Sequence, residues 1–193
     1  MTLTDVCFSY GEKVILDHFS LSLPDAGITA LAGSSGCGKT TLLRLLGGLE
    51  RPQSGVLEAP NAAETAFLFQ EDRLLPGLTA AAQVAVVLSR GDDPLPWLKA
   101  VGLGDAADVR PEELSGGMRR RVALARCLAY GQSKQLLLLD EPFSGIDPER
   151  SQALMSLIRT LEIPVIYSAH DALSLSLADR VIRLAGPPLR FVP

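Results

Sequence analysis

Long apolar runs and aromatic side chains are scarce in this sequence of 193 residues. Aromatic residues make up 5% of the chain, although hydrophobic residues as a whole make up 47%. Unbroken apolar runs such as Leu136–Leu139 and Ala85–Leu88 are short, whereas a membrane-spanning helix needs about 20 apolar residues. The composition therefore predicts a folded α/β protein, and any contact with a membrane is expected to go through a partner.

Basic clusters and cysteine pairs are also few. The net charge is −4, and the densest basic run is Arg119–Arg121. We expect that run to form a solvated helix face and expect no nucleic-acid partner, because a nucleic-acid surface needs many lysines and arginines on one face. The cysteines Cys7, Cys37 and Cys127 are odd in number and widely spaced, and they form no disulfide framework or zinc pattern. We interpret them as small, inert residues of a cytoplasmic protein.

Strand-like and helix-like segments alternate along most of the chain, which predicts a doubly wound α/β sheet. Two alternating runs between Val6 and Leu23 predict an antiparallel hairpin. Between Glu71 and Glu113, alanine-rich stretches broken by prolines predict a small helical insert. The other predicted strands are 27–32, 66–69, 135–139, 165–168 and, as the last one, 181–184; the other predicted helices are 39–48, 115–130, 148–163 and 172–178.

A glycine-rich turn follows the predicted strand 27–32. Residues Gly33–Thr40 fit the phosphate-loop pattern G-x-x-x-x-G-K-[ST]. The glycines let backbone N–H groups turn toward an anion, and the following helix directs its positive end at the same place. Lys39 adds a cation for the β- and γ-phosphates, and Thr40 offers a hydroxyl to Mg²⁺. The predicted ATP-binding residues of this segment are Gly33, Ser34, Ser35, Gly36, Cys37, Gly38, Lys39, Thr40 and Thr41.

Two carboxylates, Asp140 and Glu141, directly follow the apolar strand Leu136–Leu139. Asp140 is placed to hold Mg²⁺ through its hydration shell, and Glu141 can polarise a water for in-line attack on the γ-phosphate. The alternative is an acidic loop after a core strand. The phosphate loop elsewhere in the chain favours the catalytic interpretation.

A third motif indicates the class of phosphate-loop protein. Residues Leu114–Arg121 read Leu-Ser-Gly-Gly-Met-Arg-Arg-Arg and resemble the signature motif of ABC-transporter ATPase subunits, and the resemblance extends over the whole chain. It implies an α/β fold: a P-loop NTPase (RecA-like) core with an N-terminal antiparallel β subdomain and a small α-helical insert. Residues 1–193 would form a single ABC ATPase domain. Residues 1–70 and 131–193 would be the core with its β subdomain, and residues 71–130 the helical subdomain.

The resemblance also implies roles for four separate residues. Tyr10 would stack on adenine, Gln70 would link the γ-phosphate and Mg²⁺ to the insert, Asp147 would lie in a loop crossing between subunits, and His170 would contact the γ-phosphate. Tyr10, Gln70 and His170 each keep a plain structural alternative, as a hairpin aromatic, a strand-end polar residue and a hydrogen-bonded histidine. The predicted site is therefore Glu141 and His170 for catalysis, Thr40, Gln70 and Asp140 for Mg²⁺, and for ATP the phosphate loop with Tyr10, Gln70, Ser115, Gly116, Gly117 and Asp147.

The segment Ser115–Gly117 opens a predicted helix, which makes it a second anion site in a chain with one phosphate loop. The resemblance implies that it clamps the ATP of a second copy in a head-to-tail homodimer. It further implies an integral membrane permease as partner, a periplasmic or extracellular solute-binding protein acting indirectly, and a peripheral place on the inner face of the cell membrane. The stretch Phe69–Pro76 resembles importers of nitrate, sulfonates and taurine, and a generic permease-contacting loop is the alternative.

Two other functions are alternatives to transport: a soluble non-transport ABC-type ATPase that works on DNA or ribosomes, and a phosphate-loop kinase. The first class carries coiled-coil, zinc or second-cassette insertions, for which this chain has no room, and the second lacks the signature motif. Arg120 departs from the resemblance, because the family most often has glutamine there. That departure puts adenine- or ribose-side contacts across the dimer in question. For Arg119–Arg121, charge near the enclosed nucleotides is the alternative to a solvated helix face.

Overall fold

The computed structural model describes residues 1–192, which form two sheets flanked by helices. The strands are β1 (Thr2–Tyr10), β2 (Lys13–Ser22), β3 (Ile28–Ala32), β4 (Ser54–Glu58), β5 (Thr65–Leu68), β6 (Leu136–Leu139), β7 (Val165–Ala169), β8 (Arg180–Ala185) and β9 (Arg190–Phe191). The helices are α1 (Lys39–Leu46), α2 (Ala80–Ala85), α3 (Leu95–Ala100), α4 (Gly116–Gly131), α5 (Pro148–Arg159) and α6 (Ala172–Ser176). Within residues 1–192, none of these helices is both long enough and apolar enough to cross a membrane.

The smaller sheet is antiparallel, with the strand order β2-β1-β4. β1 and β2 form the predicted hairpin, in which Val6 and Phe8 are buried while Tyr10 stays 42% exposed at the strand end. β4 is absent from the sequence prediction. All its residues except Leu57 are exposed, so it carries no alternation of apolar and polar residues from which a strand could be recognised.

The larger sheet has the order β5-β6-β7-β3-β8-β9, with parallel pairing from β5 to β8. Every residue of β3, β6 and β7 is buried, as expected for parallel strands covered on both faces. Because these strands are parallel, the segments that follow β3, β5, β6 and β7 emerge at one edge of the sheet. The two-residue strand β9 pairs antiparallel with β8, so the prediction that 181–184 is the last strand is wrong.

The helical segment between β5 and β6 is built around α4. Ser115 caps this helix as predicted, with its hydroxyl accepting from the Met118 N–H at 3.3 Å. α4 packs against β5 and also against α2 and α3, and Val84 and Leu98 belong to the same hydrophobic cluster as Leu68 of the sheet. The division of residues 71–130 into a subdomain of their own stays a prediction.

Candidate nucleotide-binding site

The predicted phosphate loop, Gly33–Gly38, connects β3 to α1. Gly36 and Gly38 have φ angles of 77° and 120°, a region that side-chain-bearing residues rarely adopt. Gly33 has no room for a side chain, because a Cβ there would lie 2.5 Å from the carbonyl oxygen of Leu184. The glycines therefore keep the loop tightly wound at the N-terminus of α1, where free N–H groups and the helix dipole favour an anion.

Lys39, the first residue of α1, is only 6% exposed. Its Nζ atom donates to the carbonyl oxygens of Gly33 at 2.7 Å and Ser34 at 3.0 Å. An ammonium group has three donors, so one N–H is left for a phosphate oxygen. The lysine thus closes the loop on itself and at the same time presents a cation inside it.

A cleft of about 360 Å³ lies over the phosphate loop, a volume in the usual range of small-ligand sites. The residues that line it come from the hairpin, the loop with α1, and the ends of β5 and β6: Tyr10, Lys13, Ile15, Ser35, Gly36, Gly38, Lys39, Thr40, Thr41, Gln70 and Glu141. Lys13 and Ile15 are absent from the predicted site, and they reach the cleft because β2 pairs with the strand that carries Tyr10. The Tyr10 hydroxyl donates to Glu50 at 3.0 Å.

Asp140 lies at the end of β6 and is 2% exposed. Its Oδ1 accepts a hydrogen bond from the Ser168 hydroxyl at 2.5 Å, whereas its Oδ2 is buried and has no hydrogen-bond partner within residues 1–192. A buried carboxylate oxygen without a donor is energetically costly unless a cation compensates it. Asp140 is therefore arranged as a cation ligand that is already held in place on one side.

Glu141 follows Asp140 with a φ of 50°, which is uncommon for a residue other than glycine. Its N–H donates to the Ser168 hydroxyl oxygen at 2.9 Å, so Ser168 organises both carboxylates. His170 follows β7, and its Nδ1 lies 3.7 Å from Glu141 Oε1. That separation exceeds a hydrogen bond, but it places the two predicted catalytic side chains next to each other.

The sequence pattern predicted that Arg120 lies on a solvated helix face, and for this residue the prediction is wrong. Arg120 is buried, with only 7% of its surface exposed. Its guanidinium donates to the carbonyl oxygens of Phe69 and Asp140, and also to those of Gln70 at 3.2 Å and Glu141 at 3.1 Å. Burial lowers the pKa of Arg120 from its usual value, and the carboxylate of Asp72, 3.9 Å away, opposes that shift. The prediction failed because a run of three arginines does not reveal which of them turns toward the sheet.

The segment Ser115–Gly117 does not line the cleft over the phosphate loop. Gly116 and Gly117 line a separate cavity of about 350 Å³ together with Gln70, Arg120, Glu141, Ser144 and Gly145. Asp147 lines neither cavity. It caps α5 by accepting from the Arg150 N–H at 2.9 Å, and that hydrogen bond holds the pKa of Asp147 below its usual range.

Two of the three cysteines lie in surroundings that fit an inert thiol. Cys37 and Cys127 are buried, and burial raises the pKa of the Cys127 thiol to about 12. Cys7 lies close to Asp17 and His18, with one ligand atom from each of the three within 4.8 Å of the others. Three ligands are one fewer than a structural zinc site uses, and we assign no metal to them.

Comparison with known proteins decides the family. The sequence pattern of the ABC transporter family matches residues 16–144, which is more than half of the chain. The chain belongs to the ABC transporter family. It is an ATP-binding cassette, and cassettes of this family are ATPases that energise transport.

The similar proteins of this cassette include several named aliphatic sulfonates import ATP-binding protein SsuB. The one from Mesorhizobium japonicum, SsuB 1, is 41% identical, and the alignment covers 92% of this chain and 72% of the relative. SsuB 1 of Burkholderia cenocepacia is 39% identical, with 94% and 60% covered. SsuB of Yersinia pestis is 40% identical, with 94% and 71% covered. The cassette therefore spans 60% to 72% of the length of these relatives.

Solved structures confirm the predicted fold class. The dimeric structure of MJ0796, described as a bacterial ABC transporter cassette, superposes with a TM-score of 0.83 at 28% identity and covers 95% of this chain and 94% of that one. A post-hydrolysis dimer of MJ0796 bound to ADP and Pi has a TM-score of 0.81 at 26% identity, with 100% and 99% covered. The cassette thus has the P-loop NTPase core inferred from its motifs.

Proposed function

We propose that two copies of this cassette enclose two ATP molecules head to tail and hydrolyse them, which energises import of a small solute through a separate membrane permease. The observation that carries the proposal is the separation of the two anion sites. Gly116 and Gly117 line a cavity other than the cleft over the phosphate loop, and Gln70 and Glu141 lie between the two. A Cβ on Gly116 or Gly117 would meet no atom outside the backbone of its own helix closer than 3.9 Å. The signature segment is therefore open to a nucleotide carried by another chain. The dimers of MJ0796 support the pairing of two cassettes.

The direction of transport and the solute class follow from the relatives. The similar proteins from three genera are named as import ATP-binding proteins for aliphatic sulfonates, and we assign this cassette to importers of small organic anions of that kind. In such an importer, the cassette lies at the cytoplasmic face of the membrane, and a periplasmic or extracellular solute-binding protein delivers the solute to the permease. Vesicles that contain the cassette with its permease, and that are supplied with the solute-binding protein on the opposite side of the membrane, should take up an alkanesulfonate only with ATP on the cassette side. Uptake that ignores ATP would contradict the proposal.

Hydrolysis in this proposal depends on three side chains. Lys39 directs its remaining N–H at the phosphates, and Glu141 takes the proton of the water that attacks the γ-phosphorus. As the water oxygen bonds to phosphorus, the bond to the β–γ bridging oxygen breaks, and ADP and phosphate are released. His170, next to the Glu141 carboxylate, holds the γ-phosphate in line.

The residues of the cassette also fit Mg²⁺. Asp140 Oδ2 is a buried anionic oxygen without a partner in the described chain, and Mg²⁺ prefers carboxylate, hydroxyl and phosphate oxygens as ligands. Thr40, Gln70 and Asp140 would hold the ion at the cleft. The ion would supply positive charge that neutralises the β- and γ-phosphates.

Asp140→Asn should lower ATP hydrolysis at least about tenfold and raise the Mg²⁺ concentration needed for half-maximal rate. The amide still accepts from the Ser168 hydroxyl, but it lacks the negative charge that binds the cation. The measurement is phosphate release during a MgCl₂ titration. Asp179→Asn is the matched control, because Asp179 also accepts a hydrogen bond, from the Ile28 N–H at 2.8 Å, but does not line the cleft. An unchanged Mg²⁺ requirement in Asp140→Asn would remove Asp140 from the metal site.

The proposed contact with the permease lies in the loop after Gln70. Gln83 is fully buried and exchanges hydrogen bonds with the backbone of Leu75, at 3.0 Å and 2.6 Å. Arg126 binds the carbonyl oxygens of Asp72 and Arg73. This bracing leaves the Leu75 side chain 45% exposed, and a firmly held apolar side chain suits a docking surface.

A cysteine placed at Leu75 should therefore crosslink to a membrane subunit in the assembled transporter. Leu78, in the same loop, is a second position for the same test. Val56→Cys is the control, because Val56 is 58% exposed on the antiparallel sheet and lies outside the loop. Crosslinked products are identified by mass spectrometry. Capture of soluble proteins alone from Leu75 would argue for the non-transport ATPase.

A further inference from the structure

We propose that Arg120 is a positioning residue for hydrolysis, which fixes the backbone of Glu141 so that its carboxylate meets the attacking water. The inference rests on the proposed function, because it assumes that Glu141 is the base. Arg120 occupies a position at which the family most often has glutamine, and the inference gives a function to that difference. The evidence for the inference is the set of hydrogen bonds that the Arg120 guanidinium makes.

The guanidinium of Arg120 joins two strand ends. β5 and β6 pair through Leu68 and Leu139, and the carbonyl oxygens beyond that pair belong to Phe69 and Gln70 on one side and to Asp140 and Glu141 on the other. Arg120 Nη1 donates to the first two and Nη2 to the second two. A planar fork can bind both groups of carbonyls at once, whereas the compact ammonium of a lysine cannot match that geometry.

The peptide groups of Glu141 need such support. Its φ of 50° lies in the left-handed region, where non-glycine residues remain only if their surroundings hold them. Ser168 accepts the N–H of Glu141 at 2.9 Å, and Arg120 donates to its carbonyl oxygen at 3.1 Å. The direction of the carboxylate is thus set by backbone contacts on both sides of the residue.

Arg120 is separate from the phosphate loop, which holds the ATP of its own subunit. Within residues 1–192, its hydrogen bonds end on 69–70 and 140–141, and its ion pair on Asp72. It lines the cavity of the signature segment and not the cleft over the phosphate loop. A contact that orients the base without touching the ATP of its own subunit affects kcat rather than the affinity of the phosphate loop for ATP.

The test is steady-state ATP hydrolysis by the purified full chain carrying Arg120→Met. We expect kcat to fall at least about tenfold and KM for ATP to stay within about threefold of the parent value. Arg159→Met is the matched control, since Arg159 also donates to a backbone carbonyl, that of Leu177 at 3.0 Å, but lines neither cavity. Its kcat should stay within about twofold of the parent.

Two further variants keep the test decisive if Arg120→Met does not fold. Arg120→Lys keeps the charge without the fork, and Arg120→Gln keeps an N–H donor without the charge; both should lower kcat while KM stays near the parent value. Adding Arg120→Gln to a Glu141→Gln chain should leave the ATP-bound dimer intact, because Arg120 acts on turnover and not on binding.

Two results would overturn the inference. One is parent-like kcat in the folded Arg120 variants, and the other is a loss of kcat that the Arg159 variant shares. Failure of the proposed function looks different, because the parent chain itself would then release no phosphate from ATP.

Discussion

A Glu141→Gln variant is expected to bind ATP like the parent chain and to hydrolyse it at least about 100-fold more slowly. Glutamine keeps the size and hydrogen-bonding capacity of the side chain but lacks the basic carboxylate that takes a proton from water. The contacts that hold the phosphates belong to the phosphate loop and are unchanged. ATP then stays between two subunits, and the variant accumulates as a dimer. Phosphate release measures hydrolysis, and light scattering at saturating ATP and low Mg²⁺ measures the dimer.

The same chain offers a way to separate dimer formation from nucleotide binding. Adding Ser115→Arg to Glu141→Gln should dissolve the dimer, because a long side chain would fill the open space at the start of α4. The matched control for the Glu141→Gln substitution is Glu58→Gln, on the exposed strand β4. The Glu58→Gln variant should hydrolyse ATP like the parent. A Glu141→Gln chain that keeps the parent rate would exclude Glu141 as the base. Dimerisation that survives Ser115→Arg would mean that the signature segment does not contact the partner's nucleotide.

The second large effect is expected from Lys39→Ala, which should weaken ATP binding about 100-fold or more by removing the cation inside the loop. The fold should survive, with a melting temperature within about 5 °C of the parent. The variant loses the bonds to the Gly33 and Ser34 carbonyls, but it also no longer buries a charge. Isothermal titration with ATP measures the affinity, and differential scanning calorimetry measures stability.

Lys134→Ala is the matched control for that experiment. Lys134 also donates to a backbone carbonyl, that of Ala63 at 2.8 Å, but it does not line the cleft. Its ATP affinity should equal that of the parent. If Lys39→Ala bound ATP normally, the phosphate-loop assignment would fail.

The sequence was most informative where a local pattern has only one structural solution. The run Leu136–Leu139 is short and uniformly apolar, which favours a strand covered on both faces over a helix. The glycines of the phosphate loop require φ values or close contacts that other residues cannot adopt, so both the turn and the start of α1 could be placed. Parallel strands then bring the loop, Gln70 and Glu141 to one edge of the sheet, and the cleft assembles them there.

Features that depend on contacts distant in sequence could not be predicted. β4 and β9 exist because β1 and β8 offer free edges, and neither has a pattern of its own. The role of Arg120 depends on two strand ends that lie 51 and 20 residues from it along the chain. Ser168 was likewise missed, although it organises both carboxylates, because a serine near the end of an apolar strand has no distinctive spacing.

Helix α4 holds the loop that follows β5 at two points. Arg120 holds the chain at Phe69 and Gln70, and Arg126 holds it at Asp72 and Arg73, about 9 Å farther along the helix axis. A loop that is hydrogen-bonded to one helix at two points cannot shift relative to that helix unless these hydrogen bonds break. Under the proposed function, a displacement of Leu75 by a membrane subunit would have to move α4, and with it Ser115, or break these hydrogen bonds. Because Arg120 also holds the Glu141 carbonyl, the same displacement would disturb the backbone of the proposed base.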